Sequence, residues 1–260
     1  MRIFTLMAVA FCLAGTPAGA QPDPRLPDPR LIEELVAANR VLADLGVVDG
    51  FGHASVRHDK DPNRYLMARS LAPGLVRAED ILEYDLDSAA IDAKGRALFL
   101  ERFIHGEIYK ARPDVKAVVH SHSPSLIPFG VTATKLQPIY HMSSFLGAGV
   151  PVFEIRDAAG PASDLLVRNG PLGAALARAL GDKAVVLMRG HGSVAVGGSI
   201  PQVVFRAYYA EMNARLQAEA MRLGPVTYLS AEEAAAATRT NDGVLLRAWD
   251  LWKRKAMKTE

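Results

Sequence analysis

Two histidines stand one residue apart in Ala117-Val118-Val119-His120-Ser121-His122, at the end of a run of small and branched apolar residues that reads as a buried strand. Residues i and i+2 of an extended segment face the same side. His120 and His122 can therefore converge on one ion. A third histidine, His191, lies far downstream in Met188-Arg189-Gly190-His191-Gly192, again where an apolar strand runs out, with glycines leaving room around its ring. Three imidazoles with a position left open is the pattern of a catalytic metal site rather than a structural one. With no cysteine beside them, nitrogen and oxygen donors suit zinc, manganese, iron or cobalt.

Glu101 is the candidate acid/base or fourth ligand. It falls at the start of a helix, where a carboxylate is also favoured simply by the dipole, so a capping role competes. His105, one turn later, reads as a helix-packing residue, and His58, beside Asp59-Lys60-Asp61, as solvent-exposed. His141 is a candidate outer contact of the site or substrate contact. Arg57 is open between a substrate contact and an ordinary salt bridge.

The elements that must carry these residues alternate. Apolar residues recur at helical spacing from Leu31 to Leu42, with Gly46 as the stop. Strands are expected over residues 54–57, 65–68 and 81–86, and a helix over 98–112 that stops before Pro113. Residues 115–119 form the strand that leads to the double histidine, followed by a short helix over 125–130. A strand over 150–155, a helix over 172–180, the strand 184–188 and a long helix over 200–223 complete the pattern. Strands alternating with helices argue for an α/β layered domain. The basic cluster Lys253, Arg254, Lys255 and Lys258 reads as a solvated tail.

The chain has 260 residues, half of them hydrophobic, enough for a sizeable core. Its net charge of +2 is too near neutral to imply nucleic-acid or membrane-surface binding. Arg2, the apolar run Ile3 to Leu13 and Ala18-Gly19-Ala20 form the three parts of a secretory signal peptide over residues 1–20, cleaved before Gln21. The run is too short to span a membrane. Residues 21–30, rich in proline, follow as an extended arm before the domain over 31–260. The expected destination is the periplasm or the exterior. The single cysteine, Cys12, lies within the leader, so the mature protein is expected to hold no thiol, disulfide or thiolate ligand.

Several segments together resemble the class II aldolase/adducin family: Gly52-His53-Ala54-Ser55-Val56-Arg57, Glu101 with His105 and Tyr109, Arg112-Pro113-Asp114-Val115, His120-x-His122 and Gly190-His191-Gly192. The resemblance covers roughly residues 31–223. It implies a three-layer αβα domain with a central mixed β-sheet, usually a homotetramer. It also implies one divalent metal, zinc or manganese, on His120, His122 and His191, with Glu101 as an acid/base able to approach the metal.

Sugar-phosphate aldolases of that family hold phosphate with an Asn, a Thr/Ser-Gly loop and a Ser-Ser pair before the glutamate. Here His53, the loop Arg69-Ser70-Leu71-Ala72-Pro73 and Phe99-Leu100 stand in those places. Two apolar side chains cannot cradle a phosphate. These departures look like the decarboxylase branch, which implies a hydroxy-substituted aromatic or ring-opened dienoic carboxylic acid as substrate. His53, Arg69, Ser70, Arg57 and His141 are then candidate contacts for it, and arginine can grip a carboxylate with two parallel hydrogen bonds. The shared chemistry of the family is an enolate held by the metal. An aldolase or epimerase on a non-phosphorylated substrate, or a non-catalytic adducin-like binding protein, are the alternatives.

Overall fold

A computed structural model describes residues 26–258. The leader, Cys12 and the first half of the proline-rich arm lie outside the described residues. In chain order the elements are α1 (Pro29–Asp44), β1 (His53–Arg57), β2 (Arg64–Ala68), β3 (Ile81–Asp85), α2 (Arg102–Ala111), β4 (Ala117–Ser121), α3 (Ile127–Val131), β5 (Val152–Phe153), α4 (Arg156–Ala159), α5 (Gly170–Leu180), β6 (Val185–Met188), β7 (Gly192–Gly197), α6 (Ile200–Leu223), α7 (Ala231–Asp242) and α8 (Leu246–Ala256). The strands form one seven-stranded sheet in the order β3-β2-β1-β4-β7-β6-β5. Every pairing is antiparallel except β5 with β6. This is the mixed central sheet and α/β class expected.

Helices cover both faces, so the inner strands are apolar on both sides. On β4, Ala117 and Val119 face the layer of α1, α6 and α8, while Val118 faces the layer of α2 and α5. His120 has the parity of Val118 and so lies on the α2 side. The helix starts are written locally. Asp28 accepts from Arg30 N–H with Pro29 at the first helical position, Ser199 accepts from Gln202 N–H, and Ser230 with Glu233 closes a capping box.

Five expectations need correction. The helix expected from residue 98 begins only at Arg102, because Leu98 and Phe99 are pulled onto the core in non-helical backbone. The helix α1 starts at Pro29, within the expected arm. Strand β7 after His191 was not expected, since Gly192-Ser193-Val194-Ala195-Val196-Gly197 has little apolar surface outside its three central residues. The basic C-terminal cluster is solvated at Arg254, Lys255 and Lys258 as expected, but it is not a free tail: most of it lies in α8, which buries Trp249 and Trp252 in the core, and Lys253 pairs with Glu34 of α1. His58 is buried rather than exposed, and its Nδ1 accepts from the N–H groups of Lys60 and Asp61 at 3.0 and 3.2 Å. No helix among the described residues is long and apolar enough to cross a membrane.

Strand β7 reaches β4 only because residue 192 is glycine. A Cβ there would lie 2.1 Å from Ser121 O and 3.2 Å from His122 Cα, both main-chain atoms. Gly192→Ala must push the two strands apart beside His122 and His191. It is expected to cost about 1–3 kcal/mol of stability in urea unfolding and to weaken metal uptake at the same time. Unchanged stability would show that β4 and β7 accommodate the added methyl without parting.

Candidate metal centre

Strand β4 delivers His120 in its fourth position and releases His122 one residue past its end. His191 sits in the turn between β6 and β7, whose first residues pair with the end of β4. Glu101 immediately precedes α2 and does not cap it. Its side chain turns instead toward the histidines, which removes the capping explanation. The Nε2 atoms of His120 and His122 are 3.2 Å apart, and those of His122 and His191 are 3.0 Å apart. Glu101 Oε2 lies 3.4 Å from His120 Nε2 and 3.3 Å from His191 Nε2. All four ligand atoms fall within 4.8 Å of one another.

The outer atoms of these side chains are fixed by main chain. His120 Nδ1 donates to Ser193 O at 3.0 Å, and His191 Nδ1 donates to Leu165 O at 2.9 Å. A carbonyl can only accept, so each Nδ1 carries the ring proton and each Nε2 turns a lone pair toward the common point. Glu101 Oε1 accepts from Val167 N–H at 2.9 Å, which leaves Oε2 for the centre. Two lone pairs and a carboxylate oxygen aimed at one spot repel one another unless a cation lies among them. Ligands about 2.1 Å from a metal lie roughly 3.0–3.4 Å apart, so the donor set fits a divalent ion.

Burial opposes ionisation of Glu101, but His120 and His191 beside it hold its carboxyl well below the usual carboxylate range. Leu165 carries a left-handed backbone, with φ 70°. That conformation costs a branched residue about 1–3 kcal/mol, and it places the carbonyl that orients His191.

His53 joins the cluster. It is the partner of His120 across β1 and β4, its ring centroid is 5.1 Å from that of His120, and Phe99 packs on it at 4.5 Å. Arg57 lies at the far end of β1, where Nε donates to Val115 O and the terminal nitrogens donate to Pro62 O, Tyr109 O and Arg112 O, so its fork is fully engaged in joining β1 to the end of α2. Arg69 is ion-paired with Asp80 at 2.6 Å, and Ser70 is exposed beside it. His141 is exposed next to Tyr140. Two residues escaped the sequence reading. Phe51, 70% exposed, stands 6.3 Å from the His122 ring. His105, read as packing, reaches His53 through its own ring nitrogen at 2.7 Å.

Fold and site together define an α/β layered protein whose central strand ends in a candidate metal centre of three histidines and one carboxylate. The model of the class II aldolase and adducin N-terminal domain matches residues 33–218, and the chain belongs to that family. It is 37% identical over 247 residues, 86% of its own length and 93% of the relative's, to decarboxylase tropJ from Talaromyces stipitatus. It is 32% identical to a 3,4-dihydroxyphthalate decarboxylase from Arthrobacter keyseri, over 74% of this chain and 79% of that one. Among solved structures, an aldolase II superfamily protein from Pseudomonas syringae superposes with a TM-score of 0.73 over 92% of this chain and 96% of that one, at 23% identity, which speaks for the fold. The relatives support an enzyme, a decarboxylase of lyase type within the superfamily.

The buried imidazoles give the protein a pH dependence of known sign. Burial pushes His105 down to about 3 and, aided by its two histidine neighbours, His122 down to about 4, from 6.5. An imidazole whose folded value lies below its unfolded one stabilises the fold above the unfolded value and loses that stability as pH falls through the folded value. Glu101 adds in the same sense at more acid pH. His191 runs oppositely: burial would lower it, but its contact with Glu101 outweighs burial and raises it. The melting temperature of metal-stripped protein is expected to fall from pH 6.5 down to about pH 3, with a decline on the alkaline side of pH 6.5 as His191 loses its proton. A level curve down to pH 4 would contradict the assignment.

Proposed function

We propose that the protein is a divalent-metal-dependent decarboxylase, a carbon–carbon lyase, acting on a hydroxy-substituted aromatic or ring-opened dienoic carboxylic acid. The observation that carries this reading is the convergence of His120, His122, His191 and Glu101 on one point beside Phe99, with no hydroxyl pair where a phosphate would need one. Decarboxylases at 37% and 32% identity point the same way, one of them named for 3,4-dihydroxyphthalate.

The histidines, with Glu101 close to them, would hold zinc or manganese, which when bound supplies a Lewis acid for a developing oxyanion. Glu101, held ionised, begins as a base. It takes the proton of the substrate hydroxyl next to the carboxylate and delivers it to the ring carbon that bears that carboxylate. The carbon–carbon bond then breaks, its electron pair returns to the ring, CO2 leaves, and the oxygen regains a proton from solvent. Val167 N–H keeps Glu101 Oε1 in place, so that one oxygen alone faces the reacting atoms. Phe99 beside His53 and the exposed Phe51 near His122 would offer flat apolar surface to a ring. The loop with Arg69 and Ser70 packs through Leu71 on the small core that Phe99 also joins, and contacts from Arg69 and Ser70 to the substrate are part of the proposal.

Purified protein loaded with zinc or manganese is expected to release CO2 from at least one acid of a panel of hydroxybenzoates, hydroxyphthalates and dienoates. Chelation should abolish the release, and Glu101→Gln should lower it about a hundredfold or more while the metal stays bound. An aldehyde product instead of CO2 would assign the aldolase or epimerase chemistry. No metal uptake and no turnover would leave an adducin-like binding role.

Export and assembly form part of the same proposal: residues 1–20 direct the chain to the periplasm and the mature protein is a homotetramer. Native mass spectrometry of protein from its own cell is expected to show a subunit starting at Gln21 in a fourfold assembly. A subunit starting at Met1 or Met7 would end the export claim.

A further inference from the structure

Behind His53 runs a line of four buried polar side chains that no step above uses. His53 Nδ1 lies 2.7 Å from His105 Nε2, His105 Nδ1 lies 2.6 Å from Ser55 Oγ, and Ser55 Oγ lies 2.8 Å from Tyr109 Oη. All four are at most 4% exposed. The line crosses from β1 to α2, back to β1 and again to α2, so it is tertiary in origin, and its inner end is the ring beside His120.

The direction of the hydrogen bonds follows from Tyr109. Its hydroxyl must donate its hydrogen, and among the described residues Ser55 Oγ is the acceptor recorded for it. Ser55 has then accepted from Tyr109 and gives its own hydrogen to the other neighbour, His105 Nδ1. Burial keeps His105 neutral, so its ring proton must sit on Nε2, from which it is donated to His53 Nδ1. His53 Nδ1 therefore accepts, which leaves the ring proton of His53 on Nε2. The reverse direction would leave the buried Tyr109 hydroxyl hydrogen without an acceptor, at a cost of about 1–3 kcal/mol.

We infer that Tyr109, Ser55 and His105 are positioning residues that lock His53 in its Nε2–H tautomer, and that His53 presents this N–H to the substrate as a fixed hydrogen-bond donor. The consequence is a specificity rule. The position next to the His120 ring takes an acceptor, a carboxylate or carbonyl oxygen, and rejects a group that can only donate. It also means that His53 cannot act as the base from Nε2. That task stays with Glu101. The inference deepens the proposed decarboxylase reading on the substrate side, but its core, the tautomer, can be measured without turnover.

The experiment is 15N correlation spectroscopy of histidine-labelled, zinc-loaded protein. The His53 signals are expected to show a protonated Nε2 and an unprotonated Nδ1; the opposite pair overturns the inference. Ser55→Ala removes the donor to His105 Nδ1 and is expected to release the lock, so that His53 shows a mixture of tautomers, whereas Ser55→Thr restores the single form. A purely structural chain would leave the His53 tautomer unchanged in Ser55→Ala. If Ser55→Ala does not fold, Tyr109→Phe, which frees the Ser55 hydroxyl to turn either way, serves the same purpose. Addition of 2-hydroxybenzoate is expected to shift the His53 Nε2–H resonance, and His53→Leu should bind it about ten- to a hundredfold more weakly, the worth of one hydrogen bond to a charged group. An unmoved resonance with unchanged affinity defeats the donor role. Failure of the CO2-release panel with the expected tautomer would defeat the proposed reaction and leave this arrangement standing.

Discussion

The antiparallel ladder of β1, β4 and β7 is the constraint on which the rest depends. His53 pairs with His120 on one side of β4, and Val194 pairs with His120 on the other, so that Ser193 O falls under His120 Nδ1. A slip of one residue in either pairing would turn every side chain of a strand to the opposite layer. The apolar residues forbid it: Ala117 and Val119 belong to one core and Val118 to the other. The hydrophobic effect thus fixes the register, and the register fixes the imidazoles. The site costs little extra to align because the core has already aligned it.

Around that ladder the protein uses main-chain groups to orient side chains. Ser193 O, Leu165 O and Val167 N–H each hold one atom of a candidate ligand. Two of the three come from the segment between α4 and α5, a connection without regular structure, whose Leu165 stands in a left-handed backbone. A loop that carries strain and touches both Glu101 and His191 is explained by its position over the centre. Arg57 plays the complementary part at the far end of β1, where it gathers four carbonyls and stacks on Tyr109 at 4.7 Å.

Much of this was legible in the chain. His120 and His122 announce themselves because period two along a strand puts them on one side, and His191 because glycines flank it at a strand end. The helices were legible where apolar periodicity and caps agreed, as at α1, α5 and α6. What failed did so for tertiary reasons. Residues 98–100 have helical composition, yet Phe99 packs on His53 instead of continuing the helix backward. The α8 segment looked solvated because its charges are local, while the burial of its two tryptophans is not. Residue type and helix position alone left Glu101 open between a cap and an acid/base, and only the family resemblance favoured the second.

The sequence by itself determined the donors, their chemical kind and the family pattern that unites them, because residue type and spacing along a strand are local properties. Only the tertiary structure decided which of them meet. It brought Glu101 to the histidines, engaged Arg57 with carbonyls at the far end of β1, and turned His105 from a packing residue into the link between His53 and Ser55. The physical reason is that hydrogen-bond direction and metal-ligand distance depend on atoms that lie far apart in the chain, and those are set by how two cores close over one sheet.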